Sequence, residues 1–439
     1  MRRIVSLLSW AIVCALPLTL LANGETTGVL ALDALHVRDG WSHARSRAAA
    51  EHELRVAFLG GSITAADGWR PLTMTRLREL LPHTKLTEIN AGLPGTGSDL
   101  GACRVGHDVL RHHPDIVFVE FAVNDASTPP AQIERTIEGI VRQVKAANPA
   151  ADLCFVYTIS TPGLADLLPG TGSVPEGKLL NKQFSAGRVP AAAAAMERVA
   201  EHYGIPSLHF GVEVARRVAA GELVFKGSAA DGDRAFSLDG VHPTATGHRI
   251  YFEQLAAALP DFLASRSPSR PLLSPLHADN WERAALHELD STIFRGEWIP
   301  VAPDDANLRG VTKAMLPPTW RASAPGTALE FEFTGTRFGV LGIAAPDSGE
   351  FVVTIDDLPP ERATFFDAYV TPTFCRQTKW FFPRELPSGH HRVRIELSAT
   401  PLDKAAIKAR AGKSLEPADA FAPQRLTLSG LLTVDTAAR

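Results

Sequence analysis

Cysteine is scarce: the chain has 4 in 439 residues, and one of them, Cys14, sits in the apolar run at the N-terminus. The other three, Cys103, Cys154 and Cys375, are too few and odd in number for a disulfide framework and allow at most one bridge. An excess of charge of one sign is lacking as well. Lys and Arg number 44 against 48 Asp and Glu, a net of −4, so there is no basic footprint and nucleic acid is excluded as a partner. Metal-ligand spacing is missing: there is no His-Glu-x-x-His and no paired-cysteine motif. Asp231 and Asp233 hint at a calcium loop, but Ala235 stands where a third oxygen ligand belongs. The pairs His112–His113 and His390–His391 have no partners at ligand spacing and read as solvated positions. Neither metal nor cofactor is expected.

Long hydrophobic runs are limited to one. Ile4 to Leu21 follows Arg2 and Arg3, contains Pro17 and ends at Ala22, the pattern of a secretory signal spanning 1–22. The same stretch is just long enough for an uncleaved membrane anchor. With the signal removed, no integral membrane domain is expected, and the protein is assigned to a secreted or periplasmic bacterial location. Few disulfides suit an exported protein stabilised by its core. A composition of 45% hydrophobic and 21% charged residues is that of a folded protein. At this length, two domains are expected.

From about residue 52 to 265, short apolar strands alternate with helical patterns. Val56 to Leu59, Ile116 to Phe121, Leu153 to Ile159 and Pro206 to Phe210 read as strands. Pro71 to Leu81, Ala131 to Ala147, Pro190 to Tyr203 and Thr244 to Ala264 carry apolar residues at helical spacing. Such alternation predicts an α/β domain, residues 23–264, with helices on both faces of a parallel sheet. Ligands of such sheets bind beyond the carboxyl ends of the strands. The segment 265–276, "SRSPSRPLLSP" and one residue more, reads as a linker. Beyond it, Leu329 to Phe333, Phe338 to Ile343, Phe351 to Ile355 and His391 to Leu397 alternate as strands without helices between them. They predict an antiparallel β-sandwich over 277–439. Trp281, Trp298, Trp320 and Trp380 fall in this region and serve either as core or as a platform for sugar rings. "LPGTGS" occurs twice, at 93–98 and 168–173, and resembles a cell-wall sorting signal. The required apolar, basic tail is absent, so both copies read as loops.

Chemistry concentrates at four places. In "LGGSITAADGW" a lone hydroxyl, Ser62, stands where a strand gives way to a helix, with glycines before it that free the backbone. In "SLDGVHPTATGH", Asp239 and His242 are three residues apart, which lets the carboxylate hold one imidazole nitrogen while the other stays free. A serine hydroxyl needs such a base to become a nucleophile. Asn124, in "VEFAVND", offers a neutral amide donor suited to a developing oxyanion. "INAGLPGTGS" leaves backbone N–H groups open to a ligand, Gly95 first among them, and lacks the lysine of a phosphate loop. Each has a plainer reading as turn, cap or loop. Trp69 and Arg70 either line the substrate pocket or pack against the sheet.

Taken together, Ser62, Gly95, Asn124 and Asp239 with His242 resemble, in order and context, the blocks of the SGNH hydrolases, the GDSL esterase and lipase family, over about residues 52–262. Gly61 replaces the family's usual aspartate before the serine, and Ala122 its glycine two residues before the asparagine. The resemblance implies a flavodoxin-like three-layer fold with Ser62 as nucleophile, His242 as general base and later acid, and Asp239 as its orienter. It also implies an oxyanion hole formed by the Ser62 and Gly95 N–H groups and the Asn124 side chain. The expected activity is hydrolysis of small acyl esters, acetyl foremost, on an exported carbohydrate, in the manner of two-domain polysaccharide deacetylases. The rival expectations are a lipase or thioesterase for longer chains, acyl transfer between sugars, and a carbohydrate-binding protein on a spent esterase scaffold.

Overall fold

Apolar runs without polar alternation suit strands covered on both faces, and the central strands of the N-terminal domain are of this kind. The structure, a computed structural model, describes residues 34–51, 53–168, 189–266 and 271–436. The apolar N-terminal run and all but Leu168 of the second "LPGTGS" lie outside the described residues. The first sheet comprises β1 (Leu35–His36), β2 (Glu53–Gly60), β3 (Lys85–Gly92), β4 (Ile116–Glu120), β5 (Asp152–Tyr157) and β6 (Ser207–His209). Their spatial order is β1-β6-β5-β4-β2-β3, parallel throughout except for β1, which pairs antiparallel with β6 at one edge.

Nine helices are described in this domain. They are α1 (Ser42–Glu51), α2 (Ser62–Ala65), α3 (Trp69–Leu80), α4 (Ser98–Asp108), α5 (Pro130–Ala147), α6 (Thr161–Leu167), α7 (Ala191–Tyr203), α8 (Phe210–Ala219) and α9 (Ala245–Ala264). Successive strand residues face opposite sides, and each side has its own helices. Ala57, Leu59, Val117 and Val119 pack with α4, α5 and α7. Val56, Phe58, Ile116 and Phe118 pack with α1, α3, α8 and α9. The result is the expected three-layer α/β domain.

A short parallel pair, β7 (Val224–Lys226) and β8 (Ala235–Ser237), precedes α9. Past α9 every described strand pairing is antiparallel. The strands are β9 (Ala284–His287), β10 (Phe294–Arg295), β11 (Trp298–Pro300), β12 (Trp320–Ala322), β13 (Ala328–Gly335), β14 (Arg337–Ala344), β15 (Glu350–Ile355), β16 (Glu361–Thr364), β17 (Arg376–Phe381), β18 (Gly389–Leu397) and β19 (Leu426–Val434). One sheet runs β10-β13-β18-β15-β16; the other runs β11-β12-β19-β14-β17, with β9 beside β19. Leu329, Phe351, Val353 and Ile395 of the first sheet meet Phe338, Val340, Leu428 and Leu431 of the second in one core, as a sandwich requires. Trp281 and Trp298 are buried, and Trp320 and Trp380 are half-buried against the core, which leaves no exposed tryptophan platform among these four.

The two domains share apolar surface. Trp281, Met315, Leu341, Leu432 and Val434 belong to the same cluster as α4 and α5. Residues 271–283 lie along α5: the Trp281 N–H donates to the Arg135 carbonyl (3.0 Å), and a Cβ on Gly139 would come within 2.4 Å of the Trp281 backbone. Cys103, Cys154 and Cys375 are free and buried. Asp231 closes a capping box with Ser228. His391, read as solvated, is 6% exposed, its ring held between Asp356 and the Pro387 carbonyl, because β18 is covered at that point. Among the described residues no helix is long and apolar enough to cross a membrane.

Candidate active site

The carboxyl ends of three adjacent strands carry three of the singled-out residues. β2 leads into Ser62, the first residue of α2; β3 on one side leads into the loop holding Gly95, and β4 on the other into the turn holding Asn124. The two glycines before Ser62 have a different cause from the backbone freedom expected of them. Neither has a positive φ; what excludes a side chain is close approach. A Cβ on Gly60 would lie 2.4 Å from Thr64 Oγ1, and one on Gly61 would lie 2.0 Å from Asn124 Oδ1. Asn124 therefore packs directly against the residue preceding Ser62. At Gly95 the freedom is real, with φ at +73° in an exposed loop.

His242 arrives from the turn between β8 and α9. Its Nε2 is 2.9 Å from Ser62 Oγ, and its Nδ1 is 2.7 Å from Asp239 Oδ2. Nδ1 must then carry the proton it donates to the carboxylate, leaving Nε2 free to accept from the serine. The other carboxylate oxygen, Asp239 Oδ1, accepts from the Val241 and His242 N–H groups (2.8 Å each) and from the Ser237 hydroxyl (3.0 Å). Burial opposes the Asp239 charge, yet the donors from His242, Val241 and Ser237 outweigh it and hold the carboxyl well below the usual range. Gly240, at φ +84°, makes the turn possible, and its carbonyl accepts from the Thr161 N–H (2.9 Å) beyond β5. Thr244 closes the turn as the N-cap of α9, accepting from Gly247 N–H (3.2 Å). The side chains of both His242 and Asp239 are 55% exposed, so this site is open to solvent.

Two buried charged residues missed in the sequence reading, Glu120 and Arg104, stand behind this surface. Glu120, the last residue of β4, is fully buried and accepts from the hydroxyls of Thr64 (2.9 Å) and Thr158 (2.6 Å) and from the Gly61 N–H. It ties the ends of β4 and β5 to the turn that presents Ser62. Burial pushes its carboxyl up, against the pull of those donors. Arg104, 1% exposed, donates to the Gly60 and Ala91 carbonyls (3.0 and 2.8 Å) and joins the ends of β2 and β3. Neither residue belongs to a recognisable motif. The available signal was a charged residue inside an apolar run, as in "FVEFAV".

Trp69 and Arg70 do not line the site. Trp69 is fully buried, its ring 5.4, 5.8 and 5.9 Å from Phe58, Phe118 and Phe210, because the first turn of α3 faces the sheet. Arg70 is 5% exposed, donating to the Thr64 carbonyl (3.1 Å) and Asp67 (3.0 Å) and pairing with Glu88. Trp69→Ala should therefore cost about 3–5 kcal/mol of stability in a denaturant titration. A raised KM with unchanged stability would show instead that the ring serves substrate.

Comparison with known proteins adds three findings. Residues 58–250 match the model of the GDSL-like lipase/acylhydrolase family. No curated protein sequence matches the chain. Among solved structures the chain is similar to a two-domain esterase (CEX) active on acetylated mannans. The match to its mannopentaose co-crystal has 20% identity and a TM-score of 0.66, covering 92% of this chain and 98% of that one. A second structure of that esterase has 18% identity, a TM-score of 0.69 and the same coverage. At such identity these structures speak for the fold, with both domains included. Over residues 58–250, the α/β domain of this chain is thus similar to the GDSL-like lipase/acylhydrolase family, and the three-layer fold around Ser62 agrees with that likeness.

Proposed function

We propose that the protein is a serine esterase that removes small acyl groups, chiefly acetyl, from carbohydrate by way of an acyl-enzyme. The observation that carries this reading is the unbroken chain from Ser62 Oγ through His242 to Asp239, on an open rim next to Asn124. His242 Nε2 takes the Ser62 proton as Oγ bonds to the ester carbonyl carbon. The oxyanion is held by the Ser62 and Gly95 N–H groups and the Asn124 amide. Collapse breaks the bond to the sugar oxygen, which leaves with the proton from His242. Water then gives a proton to His242 and attacks the acyl carbon; collapse releases the acid and returns the proton to Ser62.

The acetyl preference and the carbohydrate substrate rest on two supports. The side chain on the Ser62 hydroxyl, His242, and the one packed against Gly61, Asn124, are polar, whereas a long acyl chain needs apolar walls. Two solved structures similar to both domains are of an esterase active on acetylated mannans. We assign 1–22 to an export signal, 23–264 to the catalytic domain, 265–276 to a linker and 277–439 to an accessory domain. That division places the substrate outside the cytoplasm. The decisive experiment has two arms: acetate release from a panel of acetylated plant, algal and bacterial polysaccharides, and kcat/KM on matched acetyl and octanoyl aryl esters. Acetate release from at least one polysaccharide, with acetyl preferred by about tenfold or more, is expected. Preference for octanoyl would replace this reading with a lipase or thioesterase.

A further inference from the structure

Gly95 and Asn124 stand on separate pieces of chain, and an oxyanion hole works only if its donors keep a fixed separation. The Gly95 loop is an arch with two feet. At the first, the Leu93 N–H donates to the Gly60 carbonyl (2.9 Å), on the strand that leads to Ser62. Within the arch, the Thr96 hydroxyl donates to the Leu93 carbonyl (2.8 Å). At the second foot, the Ser98 N–H donates to both oxygens of Asp125 (3.1 and 3.2 Å), the residue next to Asn124. The fit is tight, since a Cβ on Gly97 would lie 2.2 Å from Asp125 Oδ1. Asp125 itself is 2% exposed.

Charge from the second domain reaches this foot. Asp99, in the first turn of α4, is ion-paired with Lys379 of β17. Three residues earlier on that strand, Arg376 lies over the arch, its Nε 3.8 Å from where a Gly95 Cβ would be, and pairs with Asp367.

Resting on the esterase reading, we propose that Asp125 is a positioning residue that holds the Gly95 arch in register with Asn124, and that the second domain tunes this grip through Lys379. Burial pushes the Asp125 carboxyl up to about 7; the Ser98 hydrogen bonds oppose the rise, Asp99 adds to it and Lys379 counters it. Above that pH both oxygens accept from α4. Below it one oxygen is protonated, and the second foot loosens. The sign for stability is opposite: since the folded group resists ionisation, its contribution to stability falls as pH rises from the ordinary carboxyl range to about 7.

The test is the pH profile of kcat on an aryl acetate at low ionic strength. Removing the cation in Lys379→Gln should move the acid limb to higher pH by about half a unit. Removing the anion in Asp99→Asn should move it to lower pH by a similar amount, and Lys379→Arg should keep the wild-type limb. In the Asp125→Asn background, kcat should fall by about 10- to 100-fold with KM little changed, and neither second substitution should move the limb further. Displacement of both variants in the same direction, or displacement that persists in the Asp125→Asn background, would overturn the proposal. Should Asp125→Asn fail to fold, the opposite signs at 379 and 99 remain decisive. A wild-type protein without ester hydrolysis would sink the esterase reading instead, which keeps the two failures apart.

Discussion

The Ser62→Ala protein should fold as the parent does and lose about four to six orders of magnitude in kcat on an aryl acetate, down to what binding and oxyanion donors alone supply. Alanine keeps the start of α2 and the backbone N–H of residue 62, and it removes only the hydroxyl 2.9 Å from His242. That hydroxyl is half-buried and its partner imidazole is exposed, so the lost hydrogen bond should cost no more than about 1 kcal/mol of stability. Steady-state kinetics beside a denaturant titration separates the two quantities. Turnover at the parental rate in a folded Ser62→Ala protein would remove the acyl-enzyme mechanism. Covalent labelling of the parent, but not of the variant, by an organophosphonate would show the same hydroxyl reacting directly.

Asp239→Asn should cost about 10⁴ in kcat, although the substitution changes only one oxygen to an amide nitrogen. Asp239 Oδ2 accepts the Nδ1 proton of His242 at 2.7 Å, while Oδ1 is committed to Val241, His242 and Ser237. With Oδ1 so engaged, the asparagine must turn its NH₂ toward Nδ1. The imidazole then accepts there and carries its proton on Nε2, facing a serine it can no longer deprotonate. Because the Asp239 carboxyl is held well below the usual range, its charge contributes stability above the ordinary carboxyl value. That contribution is lost only as pH falls through the depressed folded value. Loss of activity near neutral pH in the parent protein thus does not come from Asp239. A variant retaining more than about a tenth of parental kcat would mean that the carboxylate does not select the tautomer.

The elements that could be read from sequence were those whose environment is uniform. β4 and β5 are buried along their whole length, and an unbroken apolar run reports that directly. β3 went unread because it is the edge strand, mostly half-exposed, so "KLTEINAG" shows neither a run nor an alternation. β19 was missed for the opposite reason. All nine residues of "LTLSGLLTV" are buried, since the sandwich core lies on one side and α4 with its neighbours on the other, which erases the period-two signal. Trp69 carried no local mark that would choose between pocket and core. The choice depended on which face of α3 met Phe58 and Phe118.

The order of the blocks around Ser62, Gly95, Asn124, Asp239 and His242, the alternation of strand and helix, and the change to short alternating strands past residue 276 were settled by the sequence alone. These are local properties, carried by side chains close together in the chain, and a period or a motif survives without knowledge of what packs against it. The tertiary structure decided the rest. It set Ser62 and His242 in contact across 180 residues and made close packing the reason for Gly60 and Gly61. It turned Glu120 and Asp125 into buried carboxyls behind the site, and it brought Lys379 to Asp99 across 280 residues. Burial and long-range charge depend on which distant surfaces meet, and no window along the chain contains that information.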